Sequence, residues 1–444
     1  FSVGGNGFSK NMKEECVKKD KDNWLEIHED RVRQLAQDLF EHPETAGDES
    51  FAVRQITEFL KQEGFCILNH AGGLSTAFEA SWGEGKPTIG FLAEYDALPE
   101  LGQKPLPYRS PIPGNGHGCG HNLLGAGIVA AACALKAMMQ ERKLPGKIVV
   151  FGCPAEETCS GKIIMARKGC FDGVDVAVSW HPSDQNRVSE DVFQAMTSKK
   201  YRFHGKTSHA AAAPEKGRSA LDAAELMNVA VNYLREHVAS SVRIHYVYTN
   251  GGEKPNIVPD FAEVWYYIRA QDYATMRDVE RRVDLAARGA AMATETSAEI
   301  GEITASPETR LNYTLIQEMF RILNQTGGPC FCDSEREFAG VLQKNLELEG
   351  PPLDEAVYSP EGVPRYVTGS TDVSAVSQIV PTVTLNTVCQ VCGAPGHHWG
   401  ITACSGSELG IRGMMSAARI MAEFGLKIME CPEIAKEAWN EFQR

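Results

Sequence analysis

The chain has 444 residues, and its 44 Lys and Arg against 58 Asp and Glu give a formal net charge of −14. A length of this order predicts two or three domains, and 43% hydrophobic with 23% charged residues argues against intrinsic disorder. The acidic balance argues against a nucleic-acid partner, because nucleic-acid binding requires a basic surface.

Residues 1–23 are polar and lack hydrophobic periodicity, so we expect a poorly packed N-terminal segment. Helical periodicity follows at residues 25–40 and 51–62. Apolar runs with strand character then alternate with helical stretches. The strands are predicted at residues 88–93, 147–151, 174–179 and 382–385, with helices at 124–140 and 162–168. This alternation predicts a mostly parallel sheet that helices cover on both faces.

The pattern changes between residues 193 and 303. There the strands are predicted at residues 194–203, 242–248, 261–270 and 297–303, with helices at 218–237 and 274–293. The order β-α-β-β-α-β predicts a ferredoxin-like unit. We therefore expect a two-domain α/β protein, in which residues 193–303 are inserted into a discontinuous main domain of residues 24–192 and 304–444.

The cysteines and the apolar segments both bear on location. The 13 cysteines lack the regular spacing of a small disulfide-bonded scaffold, which indicates thiols in a reducing compartment. The longest apolar run, residues 123–135, is shorter than the roughly 20 residues that a membrane-spanning helix needs. We therefore expect a cytoplasmic protein with no membrane segment.

Residues able to bind a metal or carry a proton follow the ends of the predicted strands. They are Glu94, Asp96, Cys119, His121, Glu156, Glu157, His181, His397 and His398. These residues fall in five segments, at 94–96, 119–121, 156–157, 181 and 397–398. Open α/β sheets bind their ligands beyond the carboxyl ends of the strands, so the topology predicts that the five segments meet at one edge.

The donor types are chemically coherent. Thiolate, imidazole and carboxylate together favour Zn²⁺ or a similar ion, and a cysteine argues against Mg²⁺ or Ca²⁺. One thiolate, one carboxylate and three imidazoles suffice for two ions that share a ligand, and such a pair can polarise an amide carbonyl and activate water. If Glu157 binds a metal, Glu156 remains beside the water as the general base.

Each segment also has an ordinary structural interpretation. Adjacent glutamates are usually solvated, and His181 could be a hydrogen-bonded core histidine. The glycine-rich run before His121 lacks the third glycine of a nucleotide-binding fingerprint, which argues against a nucleotide. Two alternatives therefore remain: Cys119 as a redox or acyl-transfer nucleophile, or a metal-stabilised binding protein without catalysis.

A set of motifs resembles the M20 metallopeptidases, specifically the amidohydrolase branch with aminobenzoyl-glutamate hydrolases and plant auxin-conjugate hydrolases. The motifs are His42-Pro43-Glu44, Ala93-Glu-Tyr-Asp-Ala-Leu-Pro99, Gly116-His-Gly-Cys-Gly-His121, Pro154-Ala-Glu-Glu157, Ser208-His-Ala210, Asn256-Ile-Val-Pro-Asp260, Gly369-Ser-Thr-Asp372 and Pro395-Gly-His-His398. The similarity covers nearly all of the chain from Trp24 onward.

The resemblance implies an assignment of the metal ligands. Cys119 is expected to bridge two ions. Glu157 and His397 would complete the site of one ion, and His121 and His181 the site of the other. His398 is the alternative to His397, which we prefer from its place in the Pro-x-His-x-Trp pattern.

The resemblance also implies roles around the metals. Glu156 is expected to be the general base, and Asp96 to lie behind the ligands. His209 matches a lid histidine that reaches the partner subunit's site and supports the oxyanion. Asn256 and Arg269 match positions that bind the carbonyl and the carboxylate of the substrate.

Two positions depart from the common pattern of the branch. Asn122 stands where many members have Asp, and Thr371 stands where many have Glu. Both changes make the auxin-conjugate hydrolases a poorer guide to the substrate.

The expected activity is hydrolysis of amide bonds in N-acyl or aryl-amide amino acids or dipeptides with a free carboxylate, similar to p-aminobenzoyl-glutamate. The expected cofactors are two divalent ions per subunit, Zn²⁺ or Mn²⁺ and alternatively Co²⁺. The expected partner is a second copy of the chain, bound through the inserted domain. A deacylase or carbamoyl-amino-acid hydrolase of the same fold is the alternative.

Overall fold

A computed structural model describes residues 24–444, so the predicted N-terminal segment at 1–23 lies outside the described residues. The strands are β1 (Cys66–Asn69), β2 (Phe78–Glu84), β3 (Thr88–Ala93), β4 (Gly146–Gly152), β5 (Val176–Ser183), β6 (Asn186–Val188), β7 (Asp191–Phe193), β8 (Ala195–His204), β9 (Arg243–Asn250), β10 (Phe261–Ala270), β11 (Ser297–Ser306), β12 (Val357–Tyr358), β13 (Arg365–Val367) and β14 (Thr382–Val388). The helices are α1 (Trp24–Ile27), α2 (Glu29–Glu41), α3 (Ser50–Gln62), α4 (His121–Arg142), α5 (Gly161–Arg167), α6 (Ala220–Leu234), α7 (Tyr273–Ala293), α8 (Tyr313–Thr326), α9 (Asp333–Asn345), α10 (Val373–Ser377), α11 (Trp399–Ser405), α12 (Glu408–Glu430) and α13 (Glu433–Phe442).

The larger sheet has eight strands in the order β1-β2-β4-β3-β5-β14-β6-β12. Its four central strands, β4, β3, β5 and β14, are parallel to one another. Antiparallel pairs join β2 to β4 and β6 to β14, towards the two edges. Because the central strands run in one direction, the segments that follow them emerge at the same edge of the sheet.

Helices cover both faces of this sheet. Strand β3 shows the alternation, since Phe91 packs into the core beneath α4 and α12, whereas Leu92 packs with Met165 of α5 and Val376 of α10. Burial on both faces explains why the central strands are almost entirely apolar.

Small residues bring α4 close to the sheet. A Cβ at Gly127 would lie 2.9 Å from the Trp180 ring, and a Cβ at Gly125 would lie 2.8 Å from the backbone oxygen of Glu94. The Trp180 indole Nε1 also donates a hydrogen bond to the Leu124 carbonyl at 3.1 Å. This close packing fixes the N-terminal turn of α4, which begins at His121, beside β5.

The smaller sheet is antiparallel and has the order β11-β8-β10-β9. Helices α6 and α7 pack on one face and form a separate hydrophobic core that includes Met227, Val264 and Val283. The order of elements, β8-α6-β9-β10-α7-β11, is the predicted ferredoxin-like order. The predicted two-domain α/β fold is confirmed, and the precise domain boundaries stay a prediction.

Several predicted element bounds were wrong. The helix predicted at residues 25–40 is divided at His28 into α1 and α2. Strand β5 continues to Ser183, because its parallel pairing with β14 persists to that residue, so His181 lies within the strand and not after it. The antiparallel strands β1 and β2 were not predicted.

One described helix, His121–Arg142, has the length and hydropathy of a membrane span, but 83% of its apolar window is buried. Its buried side chains pack against the large sheet and α12. These contacts make α4 a core helix of the larger domain.

Candidate metal centre

Three groups of metal-binding side chains meet at the carboxyl edge of the large sheet. One consists of Glu94, His121 and Glu156, and Cys119 belongs to the other two. Cys119, His121 and His181 form one group, with their donor atoms within 4.8 Å of one another. Cys119, Glu157 and His397 form the other, with the same spacing. A cysteine shared by two groups of three donors is the arrangement expected for a bridging ligand.

His121 is oriented from behind by Asp96. The imidazole Nδ1 lies 2.9 Å from the Asp96 carboxylate and 3.1 Å from the Asp96 backbone oxygen, and the ring is fully buried. The other Asp96 carboxylate oxygen accepts a hydrogen bond from the Glu157 backbone N–H at 2.9 Å. Asp96 therefore orients His121 through the imidazole and Glu157 through the Glu157 backbone N–H.

His181 and Cys119 are held next to each other. The His181 Nε2 lies 3.3 Å from the Cys119 sulfur, while its Nδ1 lies 2.7 Å from the Pro182 carbonyl. Burial is the largest cause that lowers the pKa of His181, and the lower pKa favours the neutral imidazole, which is the form that binds metals. Burial raises the pKa of the Cys119 thiol to about 12, and a bound cation reverses this effect by deprotonating the thiol.

The second group lies at the mouth of the site. The His397 Nε2 is 3.3 Å from a Glu157 carboxylate oxygen, and the His397 side chain is 57% exposed. The backbone of His397 has a φ of 54°, a left-handed conformation that is uncommon outside glycine and often marks a functional site. The neighbouring His398 instead accepts a hydrogen bond from the Gly400 backbone N–H at the start of α11.

The donor set fits divalent ions. The Nε2 of His121 and the Oε1 of Glu157 are buried and have no hydrogen-bond partner, which is costly unless a ligand such as a cation pairs with them. Sulfur, nitrogen and carboxylate donors together suit Zn²⁺ and similar ions.

Glu156 lies beside this centre. One of its carboxylate oxygens is 4.0 Å from the Nε2 of His121. Burial raises the pKa of the Glu156 carboxyl well above its usual range, and the carboxylates of Glu94 and Asp372 raise it further. A carboxyl with a raised pKa can accept and return a proton near neutral pH.

A buried lysine lies under Glu156 and was missed from the sequence. The Lys162 ammonium is fully buried, 2.7 Å from a Glu94 oxygen and 2.5 Å from an Asp372 oxygen. Burial lowers the pKa of Lys162, but the two carboxylates more than offset this and hold it well above its usual range. The available signal was a single charge on the buried face of the otherwise apolar helix α5.

The metal-binding groups open into a cavity of about 890 Å³ between the two sheets. Arg269 also lines this cavity, and its guanidinium donates a hydrogen bond to the Ser370 hydroxyl at 2.7 Å. This volume is in the range of a pocket for a small molecule.

His209 and Asn256 do not line that cavity. Both lie in exposed loops of the smaller domain, where the Ala210 backbone N–H donates a hydrogen bond to the Asn256 carbonyl at 3.0 Å. The structure therefore brings together the proposed metal ligands, Glu156, Asp96 and Arg269, but not His209 or Asn256.

Asn122, one of the two departures from the common pattern, faces away from the metal centre. Its side-chain amide donates hydrogen bonds to the carbonyls of Ala36 and Ser405 at 3.2 and 2.9 Å. It therefore ties α4 to α2 and α11.

Residues 90–400 match the family model described as peptidase family M20/M25/M40. The chain belongs to this family. The predicted M20 resemblance is therefore confirmed.

The M20 assignment is supported by relatives along almost the whole chain. The chain is 35% identical to one of the subunits of the p-aminobenzoyl-glutamate hydrolase of Escherichia coli (strain K12), over 95% of this chain and 94% of that protein. It is 30% identical to the Xaa-Arg dipeptidase of Mus musculus, over 93% and 89% of the two chains. With the family, these hydrolases show that the chain is a metal-dependent amidohydrolase.

Solved structures of M20 proteins share the fold. An aminobenzoyl-glutamate utilization protein from Klebsiella pneumoniae aligns with a TM-score of 0.64 at 19% identity, over 92% of this chain and 98% of that chain. A dinuclear metal binding peptidase of family M20 from Bacillus subtilis aligns with a TM-score of 0.60 at 19% identity, over 91% and 99%. The predicted fold class is thus confirmed by independent structures.

Replacing Cys119 by Ala should lower the metal content of the purified protein, because both donor groups lose their shared atom. Elemental analysis against protein concentration measures the change. The exposed Cys66 provides the matched control, since Cys66→Ala removes a thiol far from the centre. Unchanged metal content in Cys119→Ala would contradict a bridging role.

Proposed function

We propose that this M20 enzyme hydrolyses amide bonds in N-acyl or aryl-amide amino acids or dipeptides with a free carboxylate, using two divalent ions. The observation that carries the proposal is the pair of donor groups that share Cys119 beside Glu156, in one cavity with Arg269. Zn²⁺ and Mn²⁺ are the proposed ions, with Co²⁺ as the alternative.

Each residue would have a definite task in the reaction. Cys119 with Glu157 and His397, and Cys119 with His121 and His181, would hold the ions, which when bound polarise the carbonyl and increase the acidity of water.

Glu156 would take the proton of the attacking water and pass it to the nitrogen of the leaving amine. The buried Lys162 supports this role, because its ammonium compensates the negative charges of Glu94 and Asp372, which lie near Glu156. Arg269 would bind a carboxylate of the substrate and so place the amide over the ions.

We also propose a homodimer that forms through the smaller domain. Helix α6 exposes an apolar stripe at positions i, i+3 and i+7, formed by Leu226, Val229 and Tyr233, which are 41%, 49% and 73% exposed. The edge strand β9 lies in the same domain and has one unpaired side. Exposed apolar stripes and open edges are typical of association surfaces.

The dimer would bring His209 and Asn256 of one copy to the cavity of the other, where they would contact the substrate carbonyl. The E. coli relative is named as one component of its hydrolase, which describes that protein as part of a complex. The proposal for this chain requires only a second copy of itself.

A mixing experiment tests this arrangement. His209→Ala and Glu156→Gln should each be nearly inactive alone, with unchanged metal content. A refolded equimolar mixture should recover about one quarter of native activity, since half of the dimers then contain one complete site. A mixture with no recovery would contradict a contribution of His209 across the interface.

We propose a cytoplasmic location. Buried thiols such as those of Cys153, Cys389 and Cys404 are free in the structure. Such thiols, together with a thiolate among the proposed metal ligands, persist best in a reducing compartment.

A substrate panel tests the proposed reaction. The purified chain, loaded in turn with Mn²⁺, Zn²⁺ and Co²⁺, should hydrolyse p-aminobenzoyl-glutamate, N-acyl amino acids or dipeptides. Masking the free carboxylate as a methyl ester should lower kcat/KM about 10- to 100-fold, because Arg269 then loses its charged partner. Equal rates for the acid and the ester would contradict the role of Arg269, and no hydrolysis across the panel would contradict the proposed function.

A further inference from the structure

Two arginines lie side by side on the part of the cavity wall that the smaller sheet provides. Arg243 of β9 and Arg269 of β10 are direct partners in the antiparallel register of the smaller sheet. Directly opposed residues of neighbouring strands project from the same face, with their Cβ atoms about 5 Å apart. Both arginines line the cavity into which Cys119 and His181 also open.

Neither arginine has an anionic partner within residues 24–444. No Asp or Glu carboxylate oxygen of these residues lies within 4.0 Å of a guanidinium nitrogen of Arg243 or Arg269. Arg243 donates hydrogen bonds to the backbone carbonyls of Ser240 and Val242, and Arg269 donates one to the Ser370 hydroxyl. Like charges directly opposite each other destabilise a sheet, so this pair is unfavourable until an anion lies between or above the two guanidinium groups.

Other basic residues of the same sheet are compensated. Arg202 lies within hydrogen-bonding distance of Glu263 at 2.7 Å and of Glu299 at 2.8 Å, and Lys200 lies 2.8 Å from Glu263. Arg243 and Arg269, which line the cavity, thus differ from Arg202 and Lys200 in having no acidic partner.

The carboxylates of the cavity are not available to the arginine pair. Asp191 is held by Arg187 at 2.6 Å and by Arg365 at 2.5 Å, and these partners outweigh burial and lower its pKa. Glu94 is paired with Lys162 at 2.7 Å. Glu157 is a proposed metal ligand, and Glu156 lies beside the metal centre. The wall therefore offers two positive charges that the protein itself does not neutralise.

We infer that Arg243 and Arg269 together form a subsite for two carboxylates of one leaving group. Arg269 binds one carboxylate, as proposed above, and Arg243 binds the second. The inference rests on the proposed amide hydrolysis and narrows its substrate class to amides of acidic amino acids, with aspartate or glutamate as the released half. A leaving group with a basic side chain would meet two like charges in this subsite.

A pair of substrates that differ by one group provides the test. The 4-aminobenzoyl amides of L-glutamate and L-glutamine are assayed with the full-length, Mn²⁺-loaded protein and its variants. The native protein should prefer the glutamate amide. Arg243→Met should raise its KM about 10- to 100-fold, the effect of losing one charge-assisted hydrogen bond, and leave the KM of the glutamine amide within about threefold. Arg243→Lys should restore part of the preference for the glutamate amide, because lysine carries the positive charge but cannot form the two parallel hydrogen bonds of a guanidinium group.

Arg288 of α7 provides the matched control, since it is exposed on the helical side of the smaller sheet. Arg288→Met should change neither KM. An Arg243→Met variant that raises both KM values equally would overturn the inference, as would a native protein that turns over both amides equally. In both cases hydrolysis itself would continue, so the proposed function would stand.

A binding measurement separates the subsite from catalysis. Calorimetry of L-glutamate and L-glutamine with the metal-loaded protein should show tighter binding of L-glutamate, and Arg243→Met should remove the difference. Equal binding of the two amino acids to the native protein would overturn the inference. If neither amide is hydrolysed with any of the three metals, the proposed function fails, and the calorimetric preference still decides whether the subsite exists.

Discussion

Glu156→Gln should lower kcat by about 10²- to 10⁴-fold, the usual contribution of a general base, while the metal content stays unchanged. Glutamine has the size of glutamate but cannot take the proton of water. The loss should be nearly independent of which amide is used, because the residue acts on the proton and not on the substrate side chain.

Glu141→Gln is the matched control for this variant. Glu141 is exposed near the C-terminal end of α4, far along the helix from His121, so the same chemical change there should leave both kcat and metal content as in the native protein. A Glu156→Gln variant with native kcat would exclude Glu156 as the base. If the Glu156→Gln variant has lost metal, Glu156 would instead be a metal ligand.

Lys162→Met should lower the free energy of unfolding by about 3–5 kcal/mol, because it leaves buried carboxylates without their cation. The affected groups are Glu94, only 2% exposed, and Asp372, fully buried. Asp372 also accepts a hydrogen bond from the Lys162 backbone N–H at 2.8 Å, which the substitution retains. Burial raises the pKa of Asp372 to about 6 even with the lysine present, so the carboxylate depends on its partner.

Urea unfolding at pH 7 with a fixed metal concentration measures this loss. Lys168→Met, at the exposed end of α5, should change the free energy of unfolding by less than about 0.5 kcal/mol. Adding Asp372→Asn to Lys162→Met should recover part of the loss, because one of the two unpaired charges is removed. An unfolding curve of Lys162→Met that superimposes on that of the native protein would contradict the burial and pairing of this lysine.

The sequence allowed prediction of the features that depend on local pattern. The apolar run 88–93 matches β3 residue for residue, and Glu94 and Asp96 follow it at the carboxyl edge as the rule for parallel strands requires. The Cys-Gly-His spacing places Cys119 before the first turn of α4 and His121 within it, so both reach one site.

Features that depend on distant partners could not be predicted in this way. Lys162 and Asp372 are separated by 210 positions. The sequence around either residue gives no sign that the two side chains form a buried ion pair. The pairing of Arg243 with Arg269 follows from the strand register of the smaller sheet, which periodicity alone does not fix. His209 and Asn256 lie outside the cavity that the metal-binding groups line. A sequence motif identifies such residues but does not show where the fold places them.

Catalysis should need two ions held around one shared cysteine. Titrating chelator-treated protein with Mn²⁺ or Zn²⁺, while following bound metal and hydrolysis of p-aminobenzoyl-glutamate together, tests this most directly. We expect activity to saturate at two ions per chain in the native protein, and Cys119→Ala neither to bind the full complement nor to regain native activity. Full activity in the metal-depleted protein, or saturation of native activity at one ion per chain, would contradict the shared two-ion centre.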